Sequence, residues 1–106
     1  MEREVTRGEI WIAQVGRKKR PVVVLTRSAV LDVRRLVTVA EITTSIRGLA
    51  AEVGLEQNEG GLDRPSVINC DGLHTVAQSS LVTYVGDVAE DTMSRVCSAV
   101  SYALGC

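Results

Sequence analysis

Aromatic side chains are scarce in this chain of 106 residues, which has no phenylalanine and only three residues among Trp and Tyr: Trp11, Tyr84 and Tyr102. Common modules that hold single-stranded nucleic acid passively do so by stacking its bases on exposed aromatic rings. Three rings are too few for such a platform. Passive binding by stacking is therefore disfavoured, and we expect Trp11 to pack in the core or at a dimer interface.

Residues that form disulfides or bind metals are also sparse. Cys70, Cys97 and Cys106 are odd in number and widely spaced, no CxxC pair is present, and His74 is the only histidine. Neither a disulfide framework nor a zinc site is indicated. The acidic residues are scattered along predicted loops and a helix start, whereas a catalytic cation needs clustered carboxylates. We expect reduced thiols, no metal and no cofactor.

A long apolar run is missing as well. No stretch approaches the roughly 18 apolar residues that a membrane-spanning helix needs. The first residues, MEREVTRGE, are charged and do not resemble a signal peptide. With 45% hydrophobic residues, the chain can bury one modest core. We therefore expect a single cytoplasmic domain over residues 1–106.

The net charge of −1 conceals a strong asymmetry between the two halves of the chain. Residues 1–47 hold ten Lys and Arg against five acids, a balance of +5, whereas residues 48–106 hold two against eight, a balance of −6. A basic half can attract a polyanion, while an acidic half opposes indiscriminate binding along nucleic acid. A charge run such as residues 17–20 can equally be a solvated face, so the pattern alone leaves both interpretations open.

Two apolar segments end in polar groups that can grip a phosphodiester. In KRPVVVLTR, Pro21 biases Arg20 toward an extended backbone, so that its guanidinium enters the strand from a constrained stem. In VTVAEITTSIRGLAAEV, a β-branched strand over Leu36 to Ile42 ends in the hydroxyl cluster Thr43 to Ser45. We expect one fixed cation and one hydroxyl to meet at the same site.

The rest of the pattern predicts a mainly β protein with a closing helix. Strands are expected over residues 8–15, 22–25, 36–42, 50–55, 65–70 and 81–88, the first two as a hairpin and the fourth pairing behind the third. Residues 28–35 are expected to form a helical turn or a loop, residues 56–64 a surface loop, and Asp71-Gly72 a turn. From Glu90 to Gly105 the spacing becomes helical, with the core stripe Met93, Val96, Cys97, Val100 and Leu104. Five to seven strands would curl into a small barrel or open sheet covered by one helix.

RNA cleavage without a metal ion is the chemistry that suits these residue types. The attacking oxygen can be the 2'-hydroxyl of the RNA itself, so that the protein must supply charge for the crowded phosphate and proton transfer at both ends. Arginine, threonine and a carboxylate or imidazole suffice for those roles.

The order of five segments resembles the MazF/PemK (Kid) family of toxin endoribonucleases, most closely its short actinobacterial members. The segments are RGEIW, KRPVVVLTR, VTVAEITTSIRGL, RPSVINCDGLHTV and the closing amphipathic helix, and together they cover nearly the whole chain. The resemblance implies an SH3-like barrel of the CcdB/MazF/PemK type and a homodimer whose two-fold groove binds single-stranded RNA. It also implies sequence-specific cleavage to 2',3'-cyclic phosphate and 5'-hydroxyl ends, and a MazE-like antitoxin that covers the groove.

By position in these motifs, the family's catalytic arginine matches Arg20 and its catalytic threonine matches Thr43. Arg20 would stabilise the phosphate charge, because a guanidinium is a poor acid. Thr43 would hold a phosphate oxygen or orient the nucleophile, the alternative being a hydroxyl that satisfies a backbone group at the strand end. Asp71 matches an acid of the PemK/Kid branch and would act as general base, the alternative being a turn residue.

This chain departs from the Kid branch at two positions that bear on proton transfer. It has Asn69 where that branch has an arginine, and the short loop of residues 16–19 offers no counterpart to that branch's catalytic histidine. His74 falls where relatives often have arginine and is predicted to touch a phosphate or base, or else to be a surface or packing residue. The residues predicted to bind RNA are Lys19, Arg27, Thr44, Ser45, Arg47, Asn69 and His74, with Arg34 and Arg35 as further candidates.

Two other classes of function compete with the nuclease. A CcdB-like toxin would bind a topoisomerase without catalysis and would not need Arg20 and Thr43 as a pair. An SH3-like scaffold or nucleic-acid module would use surface aromatics that this chain lacks.

Overall fold

In the computed structural model, residues 4–28, 31 and 34–106 are described here, and the region 28–35 predicted as a turn or loop lies partly outside them. Six strands form one antiparallel sheet in the spatial order β4, β5, β3, β2, β1, β6. Their bounds are β1 Glu9–Val15, β2 Lys18–Val24, β3 Leu36–Thr43, β4 Glu52–Leu55, β5 Ser66–Ala77 and β6 Leu81–Asp87, followed by helix α1, Glu90–Leu104.

The predicted mainly β architecture with a closing helix is confirmed, but the sheet does not close into a barrel. In the described part of the chain, β4 and β6 are the two edges of the sheet and do not pair with each other. The β1–β2 hairpin is as predicted, with Gly16 at its turn in the left-handed region at φ 62°. Helix α1 ends as predicted at Gly105, whose φ of 74° suits glycine.

One prediction about strand pairing and one about a turn are wrong. The segment predicted over residues 50–55 forms β4, but it pairs with β5 and not with β3. The loop of residues 44–51 is too long to enforce a tight hairpin with β3, and β5 occupies the place beside β3 instead. Asp71-Gly72 is not a turn after a strand, because β5 continues through both residues to Ala77.

The sheet has apolar side chains on both faces. Side chains on one face pack under helix α1. Together with the buried residues of the helix, this group consists of Ile10, Val23, Ala40, Ile42, Ala51, Val53, Leu55, Ile68, Cys70, Val96 and Ala99. The helix stripe is only partly as predicted, since Val96 is buried but Cys97 and Leu104 are exposed. Thr92 and Ala99 take the buried positions instead, because the buried side of the helix is rotated from the predicted stripe.

The opposite face, which we call the site face, has its own apolar centre. Its buried side chains are Trp11, Ala13, Val22, Val24, Leu31, Val37, Val39 and Leu81. Trp11 is 6% exposed, packs edge-on against Tyr84 with ring centroids 5.8 Å apart, and donates a hydrogen bond from Nε1 to Glu9 Oε1 at 3.1 Å. The predicted packing role of Trp11 in the core is confirmed.

Candidate functional site

At one end of the site face, polar side chains take the place of the apolar ones on three neighbouring strands, β2, β3 and β5. Side chains alternate between faces along a strand, so Arg20 lies on the same face as Val22 and Val24. In the same way, Glu41 and Thr43 continue the face of Val37 and Val39. Because strand partners share a face, β5 places Asn69 opposite Glu41 and His74 opposite Val39. We call Arg20, Glu41, Thr43, Asn69 and His74 the polar cluster.

Glu41 links the two basic groups of the cluster. Its Oε1 lies 3.3 Å from Arg20 Nε, and its Oε2 lies 3.2 Å from His74 Nε2. The side chain of Glu41 is 22% exposed, against 41% for Arg20 and 36% for His74. One half-buried carboxylate therefore holds a guanidinium and an imidazole at a single point of the sheet.

The contact between His74 and Glu41 is short, but it does not have the geometry of a hydrogen bond. Nε2 of His74 is buried and has no hydrogen-bond partner among the described residues, although it lies 3.2 Å from Glu41 Oε2. The two groups are therefore in contact without a formed hydrogen bond, because distance alone does not make one.

The two predicted catalytic residues are brought together. Arg20 reaches Glu41, and Glu41 and Thr43 are two residues apart on one face of β3, a spacing of about 7 Å along the strand. Thr43 Oγ1 accepts a hydrogen bond from the amide of Ser45 at 3.1 Å. The hydroxyl thus satisfies a backbone group at the strand end while its own proton stays available for donation.

A bulge in β5 shapes the floor of the cluster. Ala40 and Glu41 are consecutive in β3, but they pair with Leu73 and Asn69, so three residues of β5 lie between their partners. Asn69 Oδ1 accepts a hydrogen bond from the amide of Asp71 at 3.1 Å, which fixes the start of the bulge. A Cβ on Gly72 would lie 2.9 Å from Glu41 Oε2, so glycine leaves room for the carboxylate. Asp71 is exposed at this bulge.

Asn69 also pairs with Glu52 of β4, on the side away from Glu41. The carboxylate of Glu52 accepts hydrogen bonds from the amides of Arg47 and Leu49 at 3.0 and 3.3 Å and from Arg47 Nε at 3.2 Å. Burial raises the pKa of the Glu52 carboxyl, but these backbone amides, that of Gly48 and the Arg47 guanidinium outweigh it and leave the pKa below its usual value. Arg47 is thereby held at the edge of the site face, with its side chain 54% exposed.

The remaining predicted RNA-binding residues differ in their distance from the cluster. Thr44 and Ser45 are exposed where the chain leaves β3. Lys19 is exposed on β2, next to Arg20 but on the alternate face. Arg27 is exposed beyond the other end of β2, where Thr26 Oγ1 accepts a hydrogen bond from the amide of Thr38 near the start of β3. Arg34 and Arg35 are also exposed just before β3.

Cys70 lies between Asn69 and Asp71 but does not belong to the cluster. It is buried on the helix side of the sheet, and burial raises the pKa of its thiol to about 11, with the charges of Asp71 and Cys97 adding to the shift. A thiol in that state is a poor nucleophile near neutral pH.

Glu41 is the one member of the cluster that the sequence reasoning did not single out. It stands inside the VTVAEITTS motif, two residues before Thr43, and a period of two places both on one face of the strand. A polar residue at that position in an otherwise apolar strand was the available signal.

The cluster lies on an open face of the sheet. A surface cavity of about 610 Å³ lies elsewhere, at the end of β4 beside helix α1, and none of the residues lining it belongs to the polar cluster. Among the described residues, no group of three or more His, Cys, Asp or Glu is placed to hold a metal ion, and no helix is long and apolar enough to cross a membrane. A partly exposed row of cation, carboxylate, hydroxyl and imidazole can bind an anionic polymer and move a proton.

Comparison with known proteins assigns the family. Residues 6–104 match the model of the PemK-like, MazF-like toxins of type II toxin-antitoxin systems. The chain is 42% identical over 103 residues to the probable endoribonuclease MazF5 of Mycobacterium tuberculosis, covering 94% of this chain and 93% of that protein. The structure of the Mycobacterium tuberculosis toxin MazF-mt6 superposes with a TM-score of 0.85 at 38% identity, covering 92% of this chain and 96% of the other.

A mycobacterial endoribonuclease solved in complex with its cognate antitoxin also superposes, with a TM-score of 0.85 at 25% identity and 95% coverage of each chain. The family match extends through β1 to β6 and all of helix α1, so it includes every residue of the polar cluster. The chain therefore belongs to the PemK-like, MazF-like toxin family of type II toxin-antitoxin systems.

Proposed function

We propose that this protein is the toxin of a type II toxin-antitoxin system and acts as an endoribonuclease on single-stranded RNA. The cleavage is metal-independent and sequence-specific: the 2'-hydroxyl of the substrate attacks the phosphate and leaves 2',3'-cyclic phosphate and 5'-hydroxyl ends. The observation that supports the proposal is that Arg20 and Thr43 share the polar end of one face, where Glu41 contacts Arg20 and lies two residues before Thr43 on the same strand. Cleavage of cellular RNA inhibits translation and growth.

Arg20 supplies the charge that the pentacovalent phosphate requires. Its guanidinium is 41% exposed and contacts a carboxylate, so a phosphate oxygen can replace Glu41 Oε1 as its anionic partner. Thr43 holds a phosphate oxygen or orients the nucleophile through the hydroxyl proton that its bond with Ser45 leaves free. Asp71 is the residue that the family motif offers as general base, and its exposed position on the bulge leaves it open to substrate.

RNA binding uses the exposed polar groups around these residues. Thr44, Ser45 and Arg47 follow Thr43 in the loop to β4, and Asn69 and His74 line the cluster from β5. Lys19 and Arg27 add positive charge at opposite ends of β2, so they act on different parts of a bound strand. The contacts of Lys19, Arg27, Thr44, Ser45 and Arg47 set affinity and register more than the rate of the chemical step.

The protein functions in the cytoplasm as a homodimer whose groove binds RNA and, in the inhibited state, a MazE-like antitoxin. Ile46 and Leu49, 57% and 46% exposed, lie in the loop after Thr43 and offer apolar contacts beside the polar cluster. A partner segment with acidic and apolar side chains would suit this mixed surface.

The proposal is tested by incubating purified protein with single-stranded RNAs of varied sequence in excess chelator. We expect cleavage with 5'-hydroxyl ends, detected by their acceptance of phosphate from polynucleotide kinase without prior phosphatase treatment. Arg20→Ala is expected to lower the rate on the order of 100-fold or more, as for other preorganised charge-stabilising groups. Thr43→Ala is expected to have a smaller effect, roughly 10- to 100-fold. Intact RNA in every sequence tested would remove the proposal.

A further inference from the structure

The proposed reaction needs a group that takes the proton from the 2'-hydroxyl, and the polar cluster offers a candidate for it besides Asp71. The polar cluster contains one imidazole, that of His74, and imidazole is the side chain that most often acts as a general base in enzymes. The ring is 36% exposed as a side chain, yet its Nε2 is buried against Glu41. The ring therefore has one nitrogen turned into the protein and one edge turned outward.

The carboxylate determines which nitrogen is available. Glu41 Oε2 lies 3.2 Å from Nε2 in the free protein, and catalytic contacts of this kind commonly become aligned hydrogen bonds when substrate binds, which favours the tautomer with hydrogen on Nε2. Nδ1 then carries the lone pair, and no hydrogen bond within the described residues occupies it. A neutral imidazole oriented by a carboxylate, with its second nitrogen free, is the arrangement that general bases use in hydrolytic triads.

We propose that His74 is the general base of the cleavage and that Glu41 is a positioning residue that holds both His74 and Arg20. This inference rests on the nuclease function proposed above. Nδ1 of His74 takes the proton of the 2'-hydroxyl as the 2'-oxygen forms its bond to phosphorus. The bond from phosphorus to the 5'-oxygen breaks, and the departing oxygen takes a proton from water. The imidazolium later returns its proton to solvent, so the enzyme is regenerated.

The position of Glu41 couples these events. In the free protein its two oxygens are divided between Arg20 and His74. When a phosphate takes over Arg20, the carboxylate is left to the imidazole, and its charge stabilises the imidazolium as the proton arrives. The charged groups next to the ring are Glu41 from β3, which contacts it, and Arg20 from β2, which shares that carboxylate, and Asp71 is the acidic residue of β5 itself. Asp71 is therefore the competing base that an experiment must separate from His74.

The first measurement is the single-turnover cleavage rate of bound RNA as a function of pH. We expect the logarithm of the wild-type rate to rise with a slope of one on its acid side and then level. His74→Gln is expected to lose roughly 100- to 10,000-fold in rate, the usual range for a removed general base, and to lose that acid limb. Asp71→Asn is expected to keep the limb whatever its effect on rate.

Glu41→Gln preserves size and removes the charge, so it tests positioning separately from fold. The substitution removes the carboxylate that contacts both the ring and the guanidinium, and we expect a lower plateau rate while the acid limb is kept. Thr75→Ala is the matched control, since Thr75 is the next residue of β5, on the opposite face and exposed. It should leave the pH profile as in the wild type.

Binding and rescue distinguish a chemical role from a structural one. RNA with a 2'-deoxy nucleotide at the cleavage position cannot react, and His74→Gln should bind it within about threefold of wild type because the base acts on the proton and not on affinity. Added imidazole should restore part of the rate of His74→Gly with a dependence on the concentration of neutral imidazole. Unfolding temperatures of all variants serve as the check on folding.

A substrate with sulfur in place of the 5'-oxygen shows whether a residue acts as the general base or as the general acid. A thiolate leaves without protonation, so a variant lacking the general acid regains its rate on this substrate, whereas one lacking the base does not. We expect the His74→Gln defect to persist. Three results would overturn the assignment of His74 as base, provided that the wild type cleaves RNA. They are an acid limb that remains in His74→Gln, an acid limb that is lost in Asp71→Asn, and recovery of the His74→Gln rate on the sulfur substrate. Absence of wild-type cleavage would instead overturn the nuclease function itself.

Discussion

Glu41 and Glu52 flank Asn69 on the same face of the sheet, yet the two carboxylates differ in what they hold. Both pair with Asn69 across their strands, which places them about 10 Å apart. Glu52 has a side chain 3% exposed and receives two backbone amides and one guanidinium. Glu41 is 22% exposed, and its ion-pair contacts within the described residues are to two side chains.

The difference shows how one interaction, a glutamate with an arginine, can serve folding in one place and chemistry in another. Backbone amides cannot leave Glu52 without opening the loop from Arg47 to Glu52, so that pair closes a loop. Arg20 and His74 can turn away from Glu41 while the strands stay in place, so that pair can exchange its partners for substrate. Exposed ion pairs contribute only about 0–1 kcal/mol to folding, which leaves the Glu41 contacts free to serve the reaction.

The largest expected contrast is between the two arginines. Arg20→Ala should lower kcat on the order of 100-fold or more, because it removes charge that acts on the transition state, and should change the free energy of unfolding by about 1 kcal/mol or less. Arg47→Ala should lower the unfolding temperature and raise KM more than it lowers kcat. Both outcomes are measured by steady-state cleavage of a fluorescent RNA and by thermal unfolding. The contrast fails if Arg47→Ala loses kcat as strongly as Arg20→Ala.

Gly72→Ala probes how tightly Glu41 must be placed. An added Cβ would lie 2.9 Å from Glu41 Oε2 and 3.0 Å from Asn69 Nδ2, both at the far ends of flexible side chains. The carboxylate is expected to shift by a few tenths of an ångström, with a roughly 10-fold loss of kcat, since misplaced catalytic groups are costly, and little loss of stability.

Gly54→Ala is the matched control for that substitution. Gly54 lies in β4, two residues from Glu52, and a Cβ there would meet nothing within 4 Å. Its activity should equal that of the wild type, and its unfolding temperature should be unchanged or slightly raised. Equal rates for Gly72→Ala and wild type would show that the position of Glu41 does not limit the reaction.

Sequence reasoning brought Arg20 and Thr43 to one place because each ends an apolar strand, and a local pattern determines which face a side chain takes. It did not find the Glu41–His74 contact, since those residues are far apart in sequence and meet only through the register of β3 with β5. That register depends on a bulge at Gly72 that reads as an ordinary Asp-Gly turn. For Arg27, nearness in sequence to the predicted catalytic strand did not reveal that the residue lies beyond the opposite end of β2 from Arg20.

A smaller effect is expected when the loop-closing carboxylate is neutralised. Glu52→Gln keeps one oxygen for the two amides that donate to Oε1, but it removes the charge and places an NH2 where Oε2 accepts from Arg47 Nε, so the contact with the guanidinium is lost and the amide contacts are weakened. We expect the unfolding temperature to fall by a few degrees, on the scale of one lost interaction in a domain of this size. Glu56→Gln, at an exposed position just after β4, is the control and should unfold as the wild type does. Equal unfolding temperatures for the two variants would mean that Glu52 does not hold the loop.

The smallest expected effect is the pH dependence of the difference in unfolding temperature between wild type and Glu52→Gln. The pKa of Glu52 is lowered in the folded protein from its ordinary value of 4.5, so ionised Glu52 stabilises the fold above that value, and the contribution is lost as pH falls through the lowered pKa. The gap in unfolding temperature between wild type and Glu52→Gln should therefore be constant near neutral pH and shrink below about pH 4.5, because a protonated carboxyl resembles the amide. Thermal unfolding from pH 7 to pH 3 at fixed ionic strength measures it. A gap that stays constant to pH 3 would mean that the amide contacts do not depend on the charge of Glu52, and its distinction from Glu41 would then rest on burial alone.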